Sequence, residues 1–514
     1  MGRRRDRGPG VPHPVPRESG LRRRDRPNGE DALSLLSANG FDCVLLDEQM
    51  PGMRGMNVFE RIRERHPRLP VVMVTKSEEE RLMDQAIGRR VDDYLVKPIN
   101  PNQVLSVLKR LLEGSRIRHQ TIAQEFSSRY LELEERRKSV VSWAGWVELY
   151  RDLLSWERRL IEAGERSLLE SRRELHGATN ADFSAWIRER YPEWVAARTG
   201  ERPTLSPDLV GTHVVPLLEA EEGPVFLVVI DCLRLDQWYA IRGALEPVFE
   251  IEESFAGSIL PSATPYSRNA IFSGWFPRTI AERRPDLWIG DSDVEGSMNP
   301  YEAELLELQL KRKGLDSACP VPYRKVLTTD DRRSVLKALP RSLQRPLSAF
   351  VFSFVDVLTH GRSESEILLE IAPDPEAFRS LTRSWFLHST VLELLRKAAE
   401  HGVRVVLTTD HGSVHCLRPA TVFARMDATQ NLRYKFGNNL RAEDPETAFR
   451  VVDQRKIGLP HKGTNVAALI AVEDYYFVYP TKLREYQSRY YGAFLHGGIS
   501  LEELILPVVT LTPR

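Results

Sequence analysis

A short apolar run that ends on a carboxylate constrains this chain more than any other feature. Residues 224–230 read PVFLVVI, and Asp231 follows directly. An uninterrupted run of large apolar residues of this length is typical of a strand that is buried on both faces of a parallel sheet. Because α/β folds bind their ligands at the carboxyl ends of such strands, we expect Asp231 to lie at a site of this kind.

Three later stretches supply further carboxylates and imidazoles. The apolar run AFVFSFVD ends on Asp356, and His360 follows four residues later. The run VRVVLTTDHGS ends on the adjacent pair Asp410 and His411. Near the C-terminus, FLHGGISLEELILPVV contains His496. Taken singly, each acid is explained by a helix cap or a surface group, but the ordered set predicts side chains that converge on one sheet edge.

The segment LPSATPYSRNAIFSG, between the first two runs, contains three candidate nucleophiles. Thr264 stands directly before Pro265 and a short helical pattern, which predicts that it is the helix N-cap. A hydroxyl there lies beside free backbone N–H groups and the positive end of the helix dipole, where a phosphate can bind. Ser262 and Ser267 compete with Thr264 for the role of nucleophile, and helix capping explains any of the three.

The donor set suits a pair of metal ions. Three carboxylates and three imidazoles without a thiolate fit Zn²⁺, with Mn²⁺ as the alternative. Two such ions about 4 Å apart stabilise the attacking and leaving oxygens of an in-line displacement at phosphorus. The two predicted groups of ligands are Asp231, Thr264, Asp410 and His411 for one ion, and Asp356, His360 and His496 for the other.

In five blocks and in this order, the chain resembles the PglZ branch of the alkaline phosphatase superfamily. The blocks are VVIDCLRLDQW, PSATPYSRNAIFSG, VDVLTHGRSES, TTDHGS and HGGISLEELILPV. The resemblance covers residues 203–514. It implies an α/β domain with a central, mostly parallel sheet, two bound metal ions and Thr264 as a metal-bound nucleophile.

Composition sets few limits on function. Lys and Arg together number 72, as do Asp and Glu, so net charge predicts no general attraction to nucleic acid or membranes. No apolar segment approaches the ~20 residues that span a bilayer, and the N-terminus lacks the apolar core of a signal peptide. The four cysteines are scattered without a C-x-x-C pair. We expect a cytoplasmic protein that does not bind a membrane.

The N-terminal part predicts a second, smaller α/β domain. Residues 1–27 are dense in Arg, Pro and Gly, and we expect them to form a disordered basic tail. Over residues 28–113, strand patterns alternate with helical ones, which predicts a parallel sheet. Asp47, Thr75 and Lys97 stand at the carboxyl ends of its strands and are expected to cluster.

This region resembles a response-regulator receiver domain of flavodoxin-like fold. The block LLDEQMPGM implies that Asp47 is the phospho-acceptor, with Thr75, Tyr94 and Lys97 as the switch residues. A receiver begins with a strand that ends in two Mg²⁺-binding acids, and here no apolar strand precedes Asn28. The domain is then N-terminally incomplete, which argues against Mg²⁺ at Asp47. Either the true start lies elsewhere or the receiver is degenerate.

Residues 114–202 show three helical patterns, and the receiver's last helix, near 101–113, should abut or run into the first of them. An aromatic and basic stripe can stack nucleotide bases, but the helical spacing favours the core of a three-helix connector. The tryptophans of this stripe are Trp143, Trp146, Trp156, Trp186 and Trp194.

Two excursions interrupt the C-terminal pattern. The first, between Trp275 and Phe350, is interpreted as an insertion above the sheet that sets substrate access. The second, over residues 415–470, is polar and basic. Its candidate contacts for a phosphate backbone, which charge balance with nearby acids explains equally well, are Arg418, Arg433, Lys435 and Lys462.

Receiver, connector and PglZ domain in this order resemble the PorX-like regulators, two-component output proteins linked to type IX secretion. The resemblance implies a metal-dependent phosphodiesterase or phosphatase that acts on a nucleotide or short oligonucleotide, with a sensor histidine kinase as partner. A sigma factor, a secretion-system protein and a second copy of the chain are open candidates for further partners. The rival hypothesis is a catalytically weak metal-binding scaffold that binds a partner protein.

Overall fold

The computed structural model describes residues 22, 24–66, 69–76, 91–197, 200–289, 299–327, 329–362, 365–424, 428–463 and 465–514. Most of the predicted tail, and the helix predicted after Thr75, lie outside these residues. The chain divides into two compact units. The N-terminal unit contains the residues up to Arg129 and Arg158–Leu169, and the C-terminal unit contains Tyr130–Glu157 and Glu170–Arg514.

The helices of the described chain are numbered in order. They are α1 Gly29–Ala38, α2 Gly55–Arg65, α3 Pro101–Ser139, α4 Trp143–Ala163, α5 Arg166–Ala196, α6 Val215–Glu219, α7 Leu235–Ile241, α8 Thr264–Ser273, α9 Pro277–Arg283, α10 Glu302–Arg312, α11 Thr329–Ser342, α12 Phe354–Arg362, α13 Glu366–Ile371, α14 Pro375–Leu387, α15 Thr390–Glu400, α16 Leu483–Tyr490 and α17 Leu501–Leu504. None of them combines the length and the apolar character that a bilayer crossing needs.

The strands are numbered in the same way. They are β1 Val44–Asp47, β2 Val71–Thr75, β3 Asp93–Val96, β4 Val225–Ile230, β5 Phe249–Gly257, β6 Tyr323–Val326, β7 Leu347–Phe352, β8 Arg404–Thr408, β9 Val414–Cys416, β10 Arg418–Phe423, β11 Tyr434–Asn438, β12 Arg441–Ala442, β13 Ala448–Val451, β14 Val466–Ala471, β15 Tyr475–Val478, β16 Ala493–Leu495 and β17 Ile505–Pro513.

The N-terminal unit is built on a parallel sheet of three strands in the order β1-β2-β3. Helix α1 begins after Asn28, whose side chain caps it by accepting a hydrogen bond from the Asp31 N–H. Strand β2 is buried along its whole length. In the part of the chain that the structure describes, β1 pairs with β2 alone, and the incompleteness of the receiver stays a prediction.

The last receiver helix and the first connector helix are one continuous element, the 39-residue helix α3. The tryptophans of the connector form an apolar core. Trp146 is 1% exposed and packs edge-on against Phe183, with 5.4 Å between the ring centroids. Trp143 and Trp194 pack in the same way at 5.9 Å. The interpretation of this stripe as a bundle core is confirmed.

The C-terminal unit is built on a six-stranded sheet in the order β5-β17-β8-β4-β7-β6. Strands β8, β4, β7 and β6 are parallel, and β17 runs antiparallel between β8 and β5. Strand β4, the apolar run before Asp231, lies between β7 and β8 and all six of its residues are buried. The central, mostly parallel sheet that the sequence predicts is confirmed.

The two excursions are more regular than the sequence indicates. The first contributes β6, which pairs with β7 as the outer strand of the central sheet, so it is more than an insertion above that sheet. The second, predicted as a polar excursion, forms short strands over an apolar core of its own that includes Ala420, Val422 and Leu469. In β10 the buried residues Ala420 and Val422 alternate with less buried ones, so this strand places one face on the core, whereas β14 is buried over five of its six residues.

Candidate metal centre

The turn after β4 places Asp231 at the carboxyl edge of the central sheet, where its side chain is 2% exposed. The next residue, Cys232, has a φ of 65°, a left-handed conformation that is costly for a side chain other than Gly and is typical of functional turns. The Leu233 N–H donates to Thr409 Oγ1 at 3.0 Å, which links this turn to the one after β8.

Asp410 and His411 lie in the turn after β8 and are fully buried. His411 Nε2 is 3.6 Å from Asp410 Oδ2 and 3.9 Å from Asp231 Oδ1. The other ring nitrogen, Nδ1, lies 3.1 Å from the Gly412 carbonyl oxygen. A proton on Nδ1 satisfies that contact, so the lone pair of Nε2 points toward the two carboxylates, as in a metal-binding histidine.

Thr264 is the first residue of α8, and Ala263 occupies the N-cap position, so the predicted cap is displaced by one residue. The Thr264 side chain does not cap the helix. Its Oγ1 lies 3.0 Å from His411 Nε2 and 3.5 Å from Asp231 Oδ1. We call Asp231, Asp410 and His411, together with the Thr264 hydroxyl, the inner cluster.

The two serines that compete with Thr264 in the sequence have other partners. Ser262 Oγ donates to the Gly498 carbonyl oxygen at 2.8 Å. Ser267 Oγ lies 2.9 Å from Ser258 Oγ, which in turn donates to the Asp410 carbonyl oxygen. Of these three hydroxyls, therefore, only that of Thr264 lies at the carboxylates.

A second group of ligands, the outer cluster, consists of Asp356, His360 and His496. The predicted strand before Asp356 ends earlier, at Phe352, and Asp356 and His360 lie on α12 instead. Their spacing of four residues places them on one face of that helix, which is why both can reach His496 in the turn after β16. His360 is exposed to solvent, whereas His496 is buried.

The spacing within the outer cluster fits a tetrahedral metal ion. His360 Nε2 and His496 Nε2 are 3.1 Å apart, and they lie 3.4 and 3.5 Å from Asp356 Oδ1. Ligands about 2.0 Å from a tetrahedral Zn²⁺ are separated by about 3.3 Å. The two clusters adjoin, because the rings of His411 and His496 stack with centroids 4.3 Å apart.

Buried acceptors in both clusters lack a hydrogen-bond donor. Asp410 Oδ2 and Asp356 Oδ1 are buried without such a partner, which is costly unless a cation is present. Burial, and then the charge of Asp231, raise the pKa of Asp410 to about 6. Burial, and then His411, lower the pKa of His496 well below its usual value, and the neutral imidazole is the form that binds metals. The residues present therefore fit two metal ions.

Arg268 and Glu302 complete the inner cluster and were missed in the sequence. Arg268, 1% exposed, binds Asp231 Oδ2 through Nη1 and Glu302 through Nε. Although burial opposes ionisation of Asp231, Arg268 and then His411 outweigh it and lower the pKa of this carboxyl. Arg268 stands four residues after Thr264, on the same helix face, and that spacing was the available signal.

The two arginines of the second excursion form ion pairs outside the two clusters. Arg433 is fully buried and pairs with Glu503, with 2.5 Å between Nη2 and Oε2. Arg418 pairs with Glu473 at 2.6 Å and lies over the Tyr475 ring. The structure therefore places neither arginine among the residues of the two clusters.

The two lysines of that excursion lie against aromatic rings. Lys435 Nζ donates to the Thr429 carbonyl oxygen at 2.9 Å and is 5.0 Å from the centroid of the Tyr479 ring. Burial lowers the pKa of Lys435 to about 8. Lys462 Nζ lies 4.3 Å from the centroid of the Phe436 ring. A substrate contact for either lysine stays a prediction.

In the N-terminal unit, Asp47 ends β1 and Lys97 follows β3, and Lys97 Nζ binds Asp47 Oδ2 at 2.5 Å. Thr75 ends β2 and is buried, and Tyr94 packs against the apolar core beneath the sheet. Among the described residues, the groups of three metal-binding side chains are the two clusters of the C-terminal unit. Asp47 belongs to neither.

Comparison with protein families decides the relationship. The model of the BREX system PglZ alkaline phosphatase-like domain matches residues 209–511. The chain belongs to the PglZ family. The response regulator receiver domain matches residues 17–109, and the PorX response regulator linker domain matches residues 116–195. The protein is thus a PorX-like response regulator with a PglZ effector domain.

Similar proteins match the receiver part. The transcriptional regulatory protein SrrA of Staphylococcus aureus is 38% identical over 85 residues, which cover 16% of this chain and 35% of SrrA. The chain thus spans about a third of the length of these curated relatives. Among solved structures, the receiver domain of NtrX from Brucella abortus is 28% identical, with a TM-score of 0.18. The match covers 19% of this chain and 82% of the NtrX chain. A receiver domain of a histidine kinase from Syntrophus aciditrophicus is 27% identical, with coverages of 19% and 75% and the same TM-score.

Proposed function

We propose that the PglZ domain is a metal-dependent phosphodiesterase or phosphatase in which Thr264 is the nucleophile. The observation that carries this proposal is the position of the Thr264 hydroxyl, 3.0 Å from His411 Nε2, within a buried cluster in which Asp410 Oδ2 lacks a donor. A threonine that only capped its helix would bond to the backbone of that helix. Here the hydroxyl lies at the Asp231 carboxylate and the His411 imidazole, which belong to two other turns.

The inner cluster and the Thr264 hydroxyl would hold one metal ion, and the outer cluster would hold the other. The donor set of carboxylates and imidazoles suits Zn²⁺, with Mn²⁺ as the alternative. Bound there, the ions would lower the pKa of the threonine hydroxyl and neutralise charge on the transferring phosphoryl group. The exposure of His360 leaves the outer cluster open to a substrate from solvent.

The proposed reaction has two displacements at phosphorus. Thr264 Oγ1 attacks the phosphorus atom of a phosphodiester, the bond to the leaving alcohol breaks, and that alcohol departs with the threonine proton. Water then attacks the phosphothreonine, breaks its P–O bond, restores the threonine hydroxyl and releases a phosphomonoester. Arg268 holds the second oxygen of Asp231, so the first oxygen stays directed at the site throughout.

The wider role of the protein is proposed from the domain set. A receiver domain accepts its phosphoryl group from a sensor histidine kinase, and we propose such a kinase as the partner of Asp47. In support of this role, Lys97 Nζ lies 2.5 Å from Asp47 Oδ2. From the PorX-like organisation we propose a nucleotide or short oligonucleotide as substrate and a part in the regulation of type IX secretion.

Hydrolysis of bis-p-nitrophenyl phosphate and p-nitrophenyl phosphate, with Zn²⁺ or Mn²⁺ added, tests this function. We expect turnover of the diester that falls at least about 10³-fold in Thr264→Ala, because the nucleophile is lost. Thr264→Ser should keep measurable activity, since it retains a hydroxyl. Thr279→Ala, on the neighbouring helix α9, is the matched control and should turn over the diester at the wild-type rate.

The outcome separates the enzyme from the rival scaffold. Full activity of Thr264→Ala would show that the nucleophile lies elsewhere. If the wild-type protein binds two metal ions and hydrolyses neither ester, the catalytic proposal is wrong, and a metal-binding scaffold for a partner protein accounts better for the domain.

A further inference from the structure

Side chains on one face of the connector helix α5 form hydrogen bonds with the segment that follows His496. His176, Asn180 and Ser184 are spaced by four residues, which places them in a row along this helix. All three bind within residues 499–502. Asn180 and Ser184 are 5% and 1% exposed, so this row is interior structure rather than solvated surface.

The first two residues of the row, His176 and Asn180, bind the start of α17. His176 Nε2 lies 2.6 Å from Glu502 Oε1, and the Asn180 amide donates to Glu502 Oε2 at 3.0 Å. The Leu501 N–H donates to Asn180 Oδ1 at 2.8 Å. Both oxygens of the Glu502 carboxylate are therefore held by the connector helix.

The third residue of the row binds the turn just before α17. Ser184 Oγ donates to the Ile499 carbonyl oxygen at 3.0 Å. On the other side of this turn, Ser262 Oγ bonds to Gly498, and the Gly498 N–H donates to Glu503 Oε1 at 2.8 Å. The chain from His496 to Glu503 is thus fixed at nearly every residue.

The segment that follows His496 also touches the inner cluster. A side chain at Gly412, directly after His411, would meet the Glu502 carbonyl oxygen at 1.9 Å, so the two backbones are in direct contact. The segment therefore lies between α5 and the turn that carries Asp410 and His411. The row on α5 therefore binds a segment that begins three residues after His496 and contacts the turn that carries His411.

A second set of contacts ties the connector to the turn after Asp231. Glu157 on α4 pairs with Arg172 on α5 at 2.7 Å and with Arg379 at 2.9 Å. Arg379 also pairs with Asp236, which Arg234 binds at 2.8 Å. These pairs join the connector helices to α7, whereas the row on α5 binds residues 499–502.

We propose that His176, Asn180 and Ser184 are positioning residues for His496, and that they set the metal affinity of the outer cluster. This inference rests on the proposed function, because it assumes that the outer cluster binds metal. Arg166–Leu169 of α5 belong to the N-terminal unit and Glu170–Ala196 to the C-terminal unit. Helix α5 therefore contains residues of both units.

The test is a zinc titration of the full-length His176→Leu/Asn180→Leu variant against a chromophoric chelator, with metal stoichiometry measured in parallel. We expect the zinc site of the outer cluster to lose between about 10-fold and 100-fold in affinity, the usual effect of removing the groups that orient a ligand. The other site should keep its affinity. His360→Ala, which removes an outer-cluster ligand, identifies which titration step belongs to that cluster.

Two further variants distinguish positioning from simple support of the fold. His176→Gln keeps a hydrogen-bond donor for Glu502, and we expect it to restore most of the zinc affinity that His176→Leu loses. Arg173→Ala changes an exposed residue of the same helix and should bind both ions as the wild type does.

Unchanged affinity at both sites in the double variant would overturn the inference. Equal weakening at both sites, with a lower melting temperature of the metal-free protein, would also overturn it, because α5 would then support only the fold. A wild-type protein that binds no zinc would overturn the proposed function itself. Two zinc ions without ester hydrolysis would overturn the catalytic proposal and leave the positioning role standing.

Discussion

Both units of this protein have a strand of a parallel sheet that ends on a carboxylate, but the surroundings of the two carboxylates differ. In each, a buried strand of a parallel sheet ends on a carboxylate, Asp47 after β1 and Asp231 after β4. Asp231 meets side chains from the turn after β8 and from helix α8, and the outer cluster adjoins it. Asp47 meets Lys97. A carboxylate at a strand end is therefore a starting point, and the segments that converge on it decide whether it becomes a metal centre.

Burial differs between the two carboxylates as much as the number of partners does. The side chains of Asp231 and its partner Arg268 are 2% and 1% exposed, whereas those of Asp47 and Lys97 are 19% and 31% exposed. A charge that water cannot reach interacts strongly with a fixed partner or a metal ion, and it is costly when left alone. The C-terminal unit thus depends on complete pairing in a way that the N-terminal unit does not.

The largest effect on metal content and activity should come from removing one carboxylate of the inner cluster. We expect Asp410→Ala to lose one metal ion and at least about 10³-fold in diester turnover, because both the ion and its charge stabilisation are lost. Metal analysis beside the ester assay measures both effects. Thr264→Ala should keep both ions, and Asp47→Ala is the control for metal content in the other unit. Two ions retained by Asp410→Ala would remove this residue from the ligand set.

The next largest effect should come from a buried ion pair outside the clusters. Arg433→Met leaves the Glu503 carboxylate buried without its partner, and we expect it to lower the free energy of unfolding by about 3–5 kcal/mol. All nine tryptophans stand at position 143 or later, in the C-terminal unit, so tryptophan fluorescence during urea unfolding reports on this unit. Arg433→Met/Glu503→Gln should recover part of the loss, and a loss below about 1 kcal/mol in the single variant would contradict the argument.

The smallest effect should come from the ion pair of the N-terminal unit. Because Lys97 and Asp47 are partly exposed to water, we expect Lys97→Met to change the free energy of unfolding by no more than about 1 kcal/mol. Urea unfolding followed by far-UV circular dichroism measures it, and the tryptophan transition should not move. A cost as large as that of Arg433→Met would show that the two units are held by charges of similar strength.

The sequence by itself determined the strands that precede Asp231 and Asp410, and it predicted the side chains that are proposed as metal donors. The runs before Asp231 and Asp410 are uninterrupted and apolar, so their strands were predicted within a residue or two, and with them the turns that carry the carboxylates. The continuous helix α3 and the tryptophan core of the connector were also predicted, because helical periodicity is a local property of the chain.

Only the tertiary structure decided which elements carry the predicted ligands, which further side chains contact them and which charges are structural. Asp356 lies on a helix instead of at a strand end, β6 joins the sheet edge, and Arg268 and Glu302 close the inner cluster. Arg433, a basic residue in a polar stretch, is buried against Glu503, seventy positions away. Contacts between distant segments depend on packing, and packing leaves no periodic trace in the sequence. The row from His176 to Ser184 and its hold on the His496 segment is another such contact.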